Sequence, residues 1–259
     1  MPSIDRMSDR PVYRQIADQL RQWILSEAEP GAKLPSEREL SQRYDASRVT
    51  VRQAIALLRA EGLIDVEHGA GVFVRSRPPV RRLGQERLSR RSRQQGNGTF
   101  LTDLAAAGRE PSVQVDVRRG PAPADIADRL GVPAGQEVLI RDRVMGTSDG
   151  QRLQLAISYL PLDLVEGTQI EQEDTGPGGT YARLEELLEP RGRHLARFRE
   201  DVSVRMPLPE EAVALRLAAG VPVIRVVRTA FDDQDTPLEV CDTLMAGDRY
   251  ELTYDIPNA

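Results

Sequence analysis

Two helical patterns within residues 34–55 follow one another with almost no chain between them, and this spacing limits the folds open to the sequence. The first pattern opens with Ser36 and has Glu39 three residues later, the arrangement of a capping box, in which each side chain bonds a free backbone N–H of the other residue. The second pattern starts at Ser47, directly after a tight turn at Asp45-Ala46. Two capped helices joined by so short a turn predict a helix-turn-helix.

Patterns on either side complete a small domain. Upstream, apolar residues recur at helical spacing in PVYRQIADQLRQWILS, and Pro30-Gly31 ends that helix. Downstream, GLIDVEHGAGVFV has two runs rich in β-branched residues around the turn HGAG, which predicts a β-hairpin. Three helices followed by a hairpin predict a winged helix-turn-helix over residues 8–76.

The second helix of the pair carries two arginines on one face. Arg48 and Arg52 are four residues apart, so both lie on the side opposite the apolar stripe that contains Val51 and Ile55. Such a face is either solvated or aligned with an extended anion, and the surrounding helix, turn and hairpin favour DNA. Nearby hydroxyl groups, an arginine on the preceding helix and the hairpin tip can add contacts to phosphates and to the minor groove. The candidate DNA-binding residues are Arg38, Ser47, Arg48, Thr50, Arg52, His68 and Gly69.

Charge is distributed unevenly along the chain. Residues 1–95 contain 18 Lys and Arg against 12 Asp and Glu, whereas the remaining residues contain 17 against 28. A cationic N-terminal part fits a polyanionic partner. A single cysteine excludes an intramolecular disulfide, and the sequence shows neither a signal peptide nor an apolar run of about 18 residues. We therefore expect a cytoplasmic protein of two domains without a membrane partner.

After the N-terminal domain the sequence becomes rich in arginine. Residues 75–98 hold eight arginines, one glutamate and two prolines, with little that a core could bury. We therefore predict a mobile linker over residues 77–98. Its arginines are either a DNA-touching arm or a plain solvated tether, and both interpretations stay open.

From residue 99 to 257, helical and strand patterns alternate and predict an α+β domain built on an antiparallel sheet. The predicted helices span residues 100–107, 124–130, 180–188 and 209–217, and the predicted strands span residues 112–118, 137–144, 152–160, 201–205, 222–231, 238–244 and 249–256. A weak internal repeat supports this, since PADIADRLGVPAGQEVLIRDRV resembles EEAVALRLAAGVPVIRVVRTA and places Arg143 on Arg228. Chance similarity is the alternative.

The N-terminal part resembles the winged-helix domain of the GntR family of bacterial transcription regulators. The resemblance runs through LPSERELSQ, SRVTVRQAI, EGLI and HGAGVFV, over about residues 11–75. In that family the arginine after the capping box, the Ser-Arg pair, the later arginine and the His-Gly tip of the wing contact the operator. The resemblance thus implies the same DNA-binding residues as those named above.

The C-terminal part resembles the UTRA effector domain of the HutC-type subfamily, which has a chorismate lyase-like fold. GTFLTDLAAAGREP, IADRLGVPAGQEVLIRDRV and PLEVCDTLMAGDRYELTYDI carry the resemblance in order. It implies that a small anionic effector is bound by Thr99, Arg141, Arg143, Tyr181 and Glu239.

The candidate effector-binding set also contains Arg228, the repeat equivalent of Arg143, and Glu200. A structural role for Arg143 and Arg228 is equally open, in which they bond Glu200 or Asp232. No metal site is expected, since His194 is the only histidine beyond the wing.

These features predict a homodimeric regulator, a repressor, that binds a pseudo-palindromic operator and is released or repositioned by its effector, without a cofactor. Gly179 and Met245-Ala246 stand where many relatives have polar residues, so a phosphorylated amino sugar is less expected as the effector. Two other functions stay open: a ligand-independent plasmid- or nucleoid-type DNA-binding protein, and a small-carboxylate lyase that uses the C-terminal fold.

Overall fold

The computed structural model describes residues 4–67, 69–75, 80–83, 88 and 98–255. The chain forms two compact units. The first comprises Met1–Arg77 and Met206–Pro222, and the second comprises Pro78–Arg205 and Val223–Ala259. Residues 206–222, which the sequence assigned to the C-terminal domain, thus group with the first unit.

Three helices and a hairpin form the N-terminal part of the first unit: α1 Val12–Ser26, α2 Glu37–Tyr44, α3 Arg48–Ala60, β1 Ile64–Glu67 and β2 Gly71–Val74. Strand β1 pairs antiparallel with β2, and Lys33 adds an isolated bridge to Phe73 on β2. All three helices and both strands contribute to one apolar core, which includes Ile16, Leu20, Leu40, Val51, Leu58, Ile64 and Val74. The predicted winged helix-turn-helix is confirmed.

Helices α2 and α3 begin with the caps that the sequence predicts. Ser36 Oγ accepts a hydrogen bond from the backbone N of Glu39 at 3.3 Å, and the Glu39 carboxylate accepts one from the backbone N of Ser36 at 2.7 Å. Asp45 then adopts a left-handed conformation, with φ of 45°, and ends α2. Ser47 caps α3, because its Oγ accepts a hydrogen bond from the backbone N of Thr50 at 3.1 Å.

The second unit is built on a six-stranded sheet with the order β4-β5-β6-β9-β8-β7, in which every neighbouring pair is antiparallel. Its elements are β3 Val80–Leu83, α4 Thr99–Ala106, β4 Pro111–Pro121, α5 Ala124–Leu130, β5 Glu137–Thr147, β6 Arg152–Pro161, α6 Leu162–Val165, α7 Gly179–Leu188, β7 Leu195–Arg205, β8 Val223–Asp232, β9 Pro237–Ala246 and β10 Tyr250–Thr253. The remaining helix, α8 Pro209–Ala214, lies in the first unit. The α+β class predicted from the sequence is confirmed.

The strand order makes the two halves of the sheet equivalent. Strands β4, β5 and β6 form one half, β7, β8 and β9 form the other, and β6 meets β9 in the middle. Strands β6 and β9 start 85 residues apart, at Arg152 and Pro237. The internal repeat in the sequence therefore corresponds to the two halves of the sheet.

Side chains of the sheet alternate between two faces. On β5, Val138 and Ile140 pack in the cluster that contains α5, whereas Leu139 packs with buried side chains of α7. The next positions on the Leu139 side are Arg141 and Arg143. This face therefore has an apolar part under α7 and a polar part beyond it.

The structure differs from the predictions at both ends of the second unit. Residues 80–83, inside the predicted linker, form β3 and pair in parallel with β10 in a separate two-stranded sheet. The prediction of a mobile linker is wrong for these residues, because their pairing partner is about 170 residues away and leaves no local signal. Apart from residues 88 and 98, the rest of the predicted linker lies outside the described residues. The strand predicted at 249–256 is the shorter β10, outside the main sheet, and β7 begins earlier than predicted, at Leu195.

Candidate nucleic-acid interface and effector cavity

Helix α3 turns one side to the core of the first unit and the other to solvent. Val51, Ala54 and Leu58 are fully buried, whereas Arg48 and Arg52 are exposed. The apolar residues recur at helical spacing, and the two arginines lie beside this stripe, on the part of the helix that stays exposed. The cationic face predicted for this helix is therefore present.

The cations of this face differ in their partners. Arg38, on α2, and Arg48 are exposed and make no hydrogen bond or ion pair with any described residue. Arg52 donates from Nε to both carboxylate oxygens of Glu37, at 2.8 and 3.0 Å. An exposed pair of this kind contributes at most about 1 kcal/mol, so an anion can displace it. Arg48 thus has no partner among the described residues, whereas Arg52 is oriented towards α2.

The polar groups beside the arginines lie at the start of α3 and in the wing. Ser47 Oγ and Thr50 Oγ1 are 2.8 Å apart and form a hydrogen bond, so the first turn of α3 holds both hydroxyl groups. Gly69 is exposed in the wing turn with a φ of +80°, a conformation that favours glycine. His68, the other predicted wing contact, lies outside the described residues.

In the second unit, a row of directly paired residues crosses five strands of the sheet on its polar side. Arg141 on β5 pairs with Ser158 on β6, which in turn pairs with Cys241 on β9. Cys241 also pairs with Arg228 on β8, and Arg228 pairs with Glu200 on β7. Paired positions of an antiparallel sheet share a face, so the strand register brings these five side chains into one line.

Three members of this row, Arg141, Cys241 and Arg228, line a cavity of about 980 Å³. Its walls are the first residues of α4 and α7, the loop at residues 173–178 and strand β3. The volume is within the range of small-molecule sites. Six of the predicted effector-binding residues line it: Thr99, Arg141, Arg143, Tyr181, Arg228 and Glu239.

Glu200 does not line the cavity, contrary to its prediction as an effector contact. Its carboxylate accepts hydrogen bonds from Arg82 at 2.5 Å and from Arg228 Nε at 2.8 Å. The reason is physical, since two buried guanidinium groups need a counter-charge. The ion pair that the sequence left open for Arg228 is therefore present, in addition to the place of Arg228 in the cavity wall.

Arg141 is 2% exposed and fastens a loop of the cavity wall. Its Nη atoms donate to the carbonyl oxygens of Ile170, Gln172 and Glu173. Burial, and then the positive charge of Arg143, lower the pKa of Arg141 to about 10. Its Nε has no hydrogen-bond partner within the described protein. An acceptor at Nε would therefore satisfy a buried donor and offset a buried charge.

Arg143 has neutral partners. Its Nη2 donates to Ser158 Oγ and lies 3.5 Å from Cys241 Sγ, and its buried Nε has no partner within the described protein. Neither acid that the sequence offered as its structural partner, Glu200 or Asp232, bonds it in the described structure. The guanidinium of Arg143 thus faces the cavity without a carboxylate.

Glu239 adds a carboxylate to the same cavity. It is 2% exposed, and its Oε2 has no partner within the described protein. The neighbouring Tyr181 hydroxyl accepts a hydrogen bond from Arg228 Nη1 at 3.3 Å. Burial, and then the charge of Glu239, raise the pKa of Tyr181 well above its ordinary value, so the hydroxyl stays protonated. The cavity thus combines guanidinium donors, hydroxyl groups and a carboxylate acceptor.

Two helices begin at the cavity with the same kind of triplet. Helix α4 starts with Gly98-Thr99-Phe100 and α7 with Gly179-Thr180-Tyr181. A Cβ atom on Gly179 would lie only 3.9 Å from the Cα atom of Gly98, so the two helix starts are neighbours. Sequence analysis missed Thr180 and Arg82, both of which line the cavity. The repeated triplet could have identified Thr180, whereas no local pattern indicates Arg82.

No cluster of three or more His, Cys, Asp and Glu side chains in the described ranges is placed to hold a metal ion. In the same part of the chain, no helix has both the length and the apolar character needed to cross a lipid bilayer.

Both units match known families. The model of the UTRA domain matches residues 106–251, and the model of the bacterial regulatory proteins of the gntR family matches residues 12–74.

Individual relatives agree with these matches. The chain is 34% identical over 252 residues to the HTH-type transcriptional regulator Rv0792c of Mycobacterium tuberculosis, covering 95% of this chain and 86% of the relative. It is 28% identical to the HTH-type transcriptional repressor NagR of Bacillus subtilis, covering 97% of each. Among solved structures, PhnF from Mycobacterium smegmatis aligns with a TM-score of 0.56 and 25% identity, covering 94% of this chain and all of PhnF.

The matched families and these relatives are transcriptional regulators and not enzymes, so the lyase alternative is set aside. The chain belongs to the GntR family of bacterial transcription regulators, in the HutC-type subfamily that carries a UTRA effector-binding domain.

Proposed function

We propose that this regulator is a homodimeric repressor that binds a pseudo-palindromic operator and is released or repositioned by a small anionic effector in the cavity of the second unit. A two-fold dimer presents two recognition helices, which fit half-sites about one helical turn apart. The protein acts in the cytoplasm, because that is where its bacterial operator lies.

The observation that carries the proposal is that, in the part of the chain that the structure describes, cationic groups at both sites have N–H donors without a partner. On α3, Arg48 is exposed and bonds no described residue, and it lies beside two hydroxyl groups and the positive end of the helix. We assign Arg48 and Arg52 to bases or adjacent phosphates and Arg38 and Thr50 to phosphates, with Ser47 and Gly69 supporting the same contacts. His68 belongs to this set by its sequence position.

In the cavity, the Nε atoms of Arg141 and Arg143 need acceptors, which favours an anionic group on the effector. Glu239 Oε2 needs a donor, which favours a hydroxyl or amino group elsewhere on the same molecule. Thr99, Tyr181 and the buried Arg228 extend this polar surface. The proposed effector is therefore a small acid that also carries a hydrogen-bond donor.

Binding to DNA is tested by fluorescence anisotropy with an operator selected from a library of random duplexes. The double variant Arg48→Ala/Arg52→Ala should lose at least ~30-fold in operator affinity, because each guanidinium contact to a base contributes roughly 1–3 kcal/mol. Arg59→Ala is the matched control, since Arg59 is also exposed but lies in the last turn of α3. Unchanged affinity of the double variant would refute the DNA interface.

Effector binding is tested by thermal shift and calorimetry of the full chain with sugar phosphates, amino acids and urocanate. At least one anion should raise the melting temperature of the wild type, and Arg143→Gln should abolish this shift. A ligand-independent DNA-binding protein is the competing function, and a cavity whose wall holds charged atoms without a partner in the described structure argues against it. If no anion shifts the wild type while operator affinity is intact, that competing function is correct.

A further inference from the structure

Strand β3 connects the effector cavity to the chain that leads to the DNA-binding domain. It starts at Val80, six positions after β2 ends at Val74. Residues 80–83 pair in register with residues 250–253 of β10, and Val80 is fully buried. The side chain of Arg82, from the same strand, lines the cavity and is 3% exposed.

The guanidinium of Arg82 has one strong partner and one weak one. Its Nη2 donates to Glu200 at 2.5 Å, and its Nη1 points at the thioether sulfur of Met245 at 3.8 Å. A thioether is a weak acceptor, so this side of the guanidinium is poorly satisfied. Arg82 can therefore gain from an acceptor inside the cavity.

Charge compensation around Arg82 is also incomplete. The carboxylate of Glu200 is the counter-charge of both Arg82 and Arg228. Nη2 and Nε of Arg228 lie 2.7 and 2.8 Å from Oε1 of Glu200, the oxygen that Arg82 also bonds. Burial, and then the positive charge of Arg228, lower the pKa of Arg82, and the nearby acids Glu200 and Asp103 do not restore it. An additional negative charge in the cavity would reduce this electrostatic cost.

We infer that Arg82, on strand β3, binds the effector directly, so that an anion in the cavity stabilises the pairing of β3 with β10. The inference rests on the proposed effector site and adds a binding residue and a route of coupling to it. By linkage, a ligand that binds more tightly when β3 is paired must also increase the fraction of molecules in which β3 is paired.

Pairing of β3 sets the length of chain between the wing of the DNA-binding domain and the first anchored residue of the second unit. With β3 in place, five residues separate Val74 from Val80, a reach of about 20 Å. Without it, 24 residues separate Val74 from Thr99, a reach of about 85 Å. Effector binding therefore shortens the tether of the DNA-binding domain, which changes the half-site spacings that a dimer can span.

Hydrogen exchange of the full-length protein, measured by mass spectrometry with and without an anion, tests this inference. The probes are inorganic phosphate, glucose 6-phosphate and urocanate, each at saturation as judged by calorimetry. In the wild type, a bound probe should slow exchange of the residue 80–83 amides by roughly tenfold, a coupling of ordinary size. Arg82→Met should weaken binding of the probe by a similar factor and remove the slowing at saturation.

Arg81→Gln is the matched control, because Arg81 pairs with Glu251 across the same two strands at 3.5 Å but is exposed. It should leave both readouts unchanged. If Arg82→Met fails to fold, the wild-type exchange measurement and Arg82→Lys still test the role of Arg82. Lysine keeps the positive charge but lacks the paired N–H donors of the guanidinium.

The outcomes separate the two proposals. A probe that binds the wild type without slowing exchange at residues 80–83, or that binds Arg82→Met equally well, overturns the role of Arg82 and leaves the effector site standing. Failure of every anion to bind the wild type overturns both.

Discussion

Arginines of the candidate DNA-binding surface and arginines of the cavity wall are held in opposite ways. In the first unit, Arg38 and Arg48 are exposed and make no bond with any described residue. In the second unit, Arg82, Arg141 and Arg228 are at most 6% exposed and bond to carboxylates, carbonyls or hydroxyls. An exposed cation costs the fold little and is available to a partner, whereas a buried cation must be compensated before it can bind anything. Under the proposed function, the same type of residue therefore serves recognition in one unit and both stability and recognition in the other.

The largest expected effect is on stability, and it should be confined to the second unit. Glu200→Ala removes the counter-charge of two buried arginines and should lower the free energy of unfolding by about 3–5 kcal/mol. Arg48→Ala should change it by no more than about 0.5 kcal/mol. Urea denaturation monitored by circular dichroism measures both variants.

Trp23, the single tryptophan, lies in α1, so its fluorescence reports on the first unit alone. This signal should be nearly unchanged in Glu200→Ala. Glu251→Ala, which removes an exposed acid, is the control. Equal stability of Glu200→Ala and Glu251→Ala would contradict the assigned role of the buried carboxylate.

The second prediction distinguishes the roles of Arg48 and Arg38 in DNA binding. Arg48→Ala should weaken operator binding by roughly 5- to 150-fold and reduce the preference for operator over random duplex. Arg38→Ala should weaken binding to both duplexes alike and lower the slope of log affinity against log salt by about 1. Anisotropy titrations between 50 and 300 mM salt distinguish the two. If both variants keep the same preference as the wild type, α3 does not read the sequence.

A smaller effect concerns access to the cavity. Cys241 is the single cysteine of the chain, and it lines the cavity beside Arg143. At a ligand concentration ten times Kd, the unoccupied fraction falls to about one-tenth, so labelling of the thiol by methyl methanethiosulfonate should slow by a similar factor. Mass spectrometry measures the rate. Arg143→Gln should remove the protection, and protection that persists in this variant would place the ligand elsewhere.

The smallest effect is the pH dependence of the capping box. Hydrogen bonds from Ser36 lower the pKa of Glu39 below its ordinary value of 4.5. The unfolded state therefore binds more protons than the folded state in this range, and the contribution of Glu39 is present above pH 4.5 and lost as pH falls through the lowered pKa. Unfolding monitored by Trp23 fluorescence should show a difference between wild type and Glu39→Gln at pH 7 that shrinks at pH 3.5. A difference of equal size at both pH values would exclude this linkage.

The first unit could be predicted in detail because its signals are local. The capping box at Ser36 and Glu39, the cap at Ser47 and the glycine-rich wing each occupy a few consecutive residues, and each is present in the structure. The exposure of Arg48 follows from the same short pattern. The pairing of Arg52 with Glu37 was not predicted, because it depends on how α2 and α3 cross.

The second unit could be predicted only in part, because its cavity is assembled across distant strands. Arg141, Arg143, Tyr181 and Glu239 were found through a resemblance, and the structure places all four in the cavity wall. The position of Glu200 behind that wall follows from its pairing opposite Arg228, a register that no short segment encodes. For strand β3 the sequence predicts a mobile linker instead, because arginine and proline dominate the surrounding residues.

The equivalence of the two sheet halves has a consequence for the origin of the cavity. Strands β6 and β9 meet where two copies of a three-stranded precursor, each about 85 residues long, would have joined edge to edge. Arg143 and Arg228 occupy matching places in the two copies, yet one faces neutral groups and the other a carboxylate. Matching positions of the two halves therefore carry different duties: Arg228 shares a buried carboxylate with Arg82, whereas Arg143 lines the cavity without one.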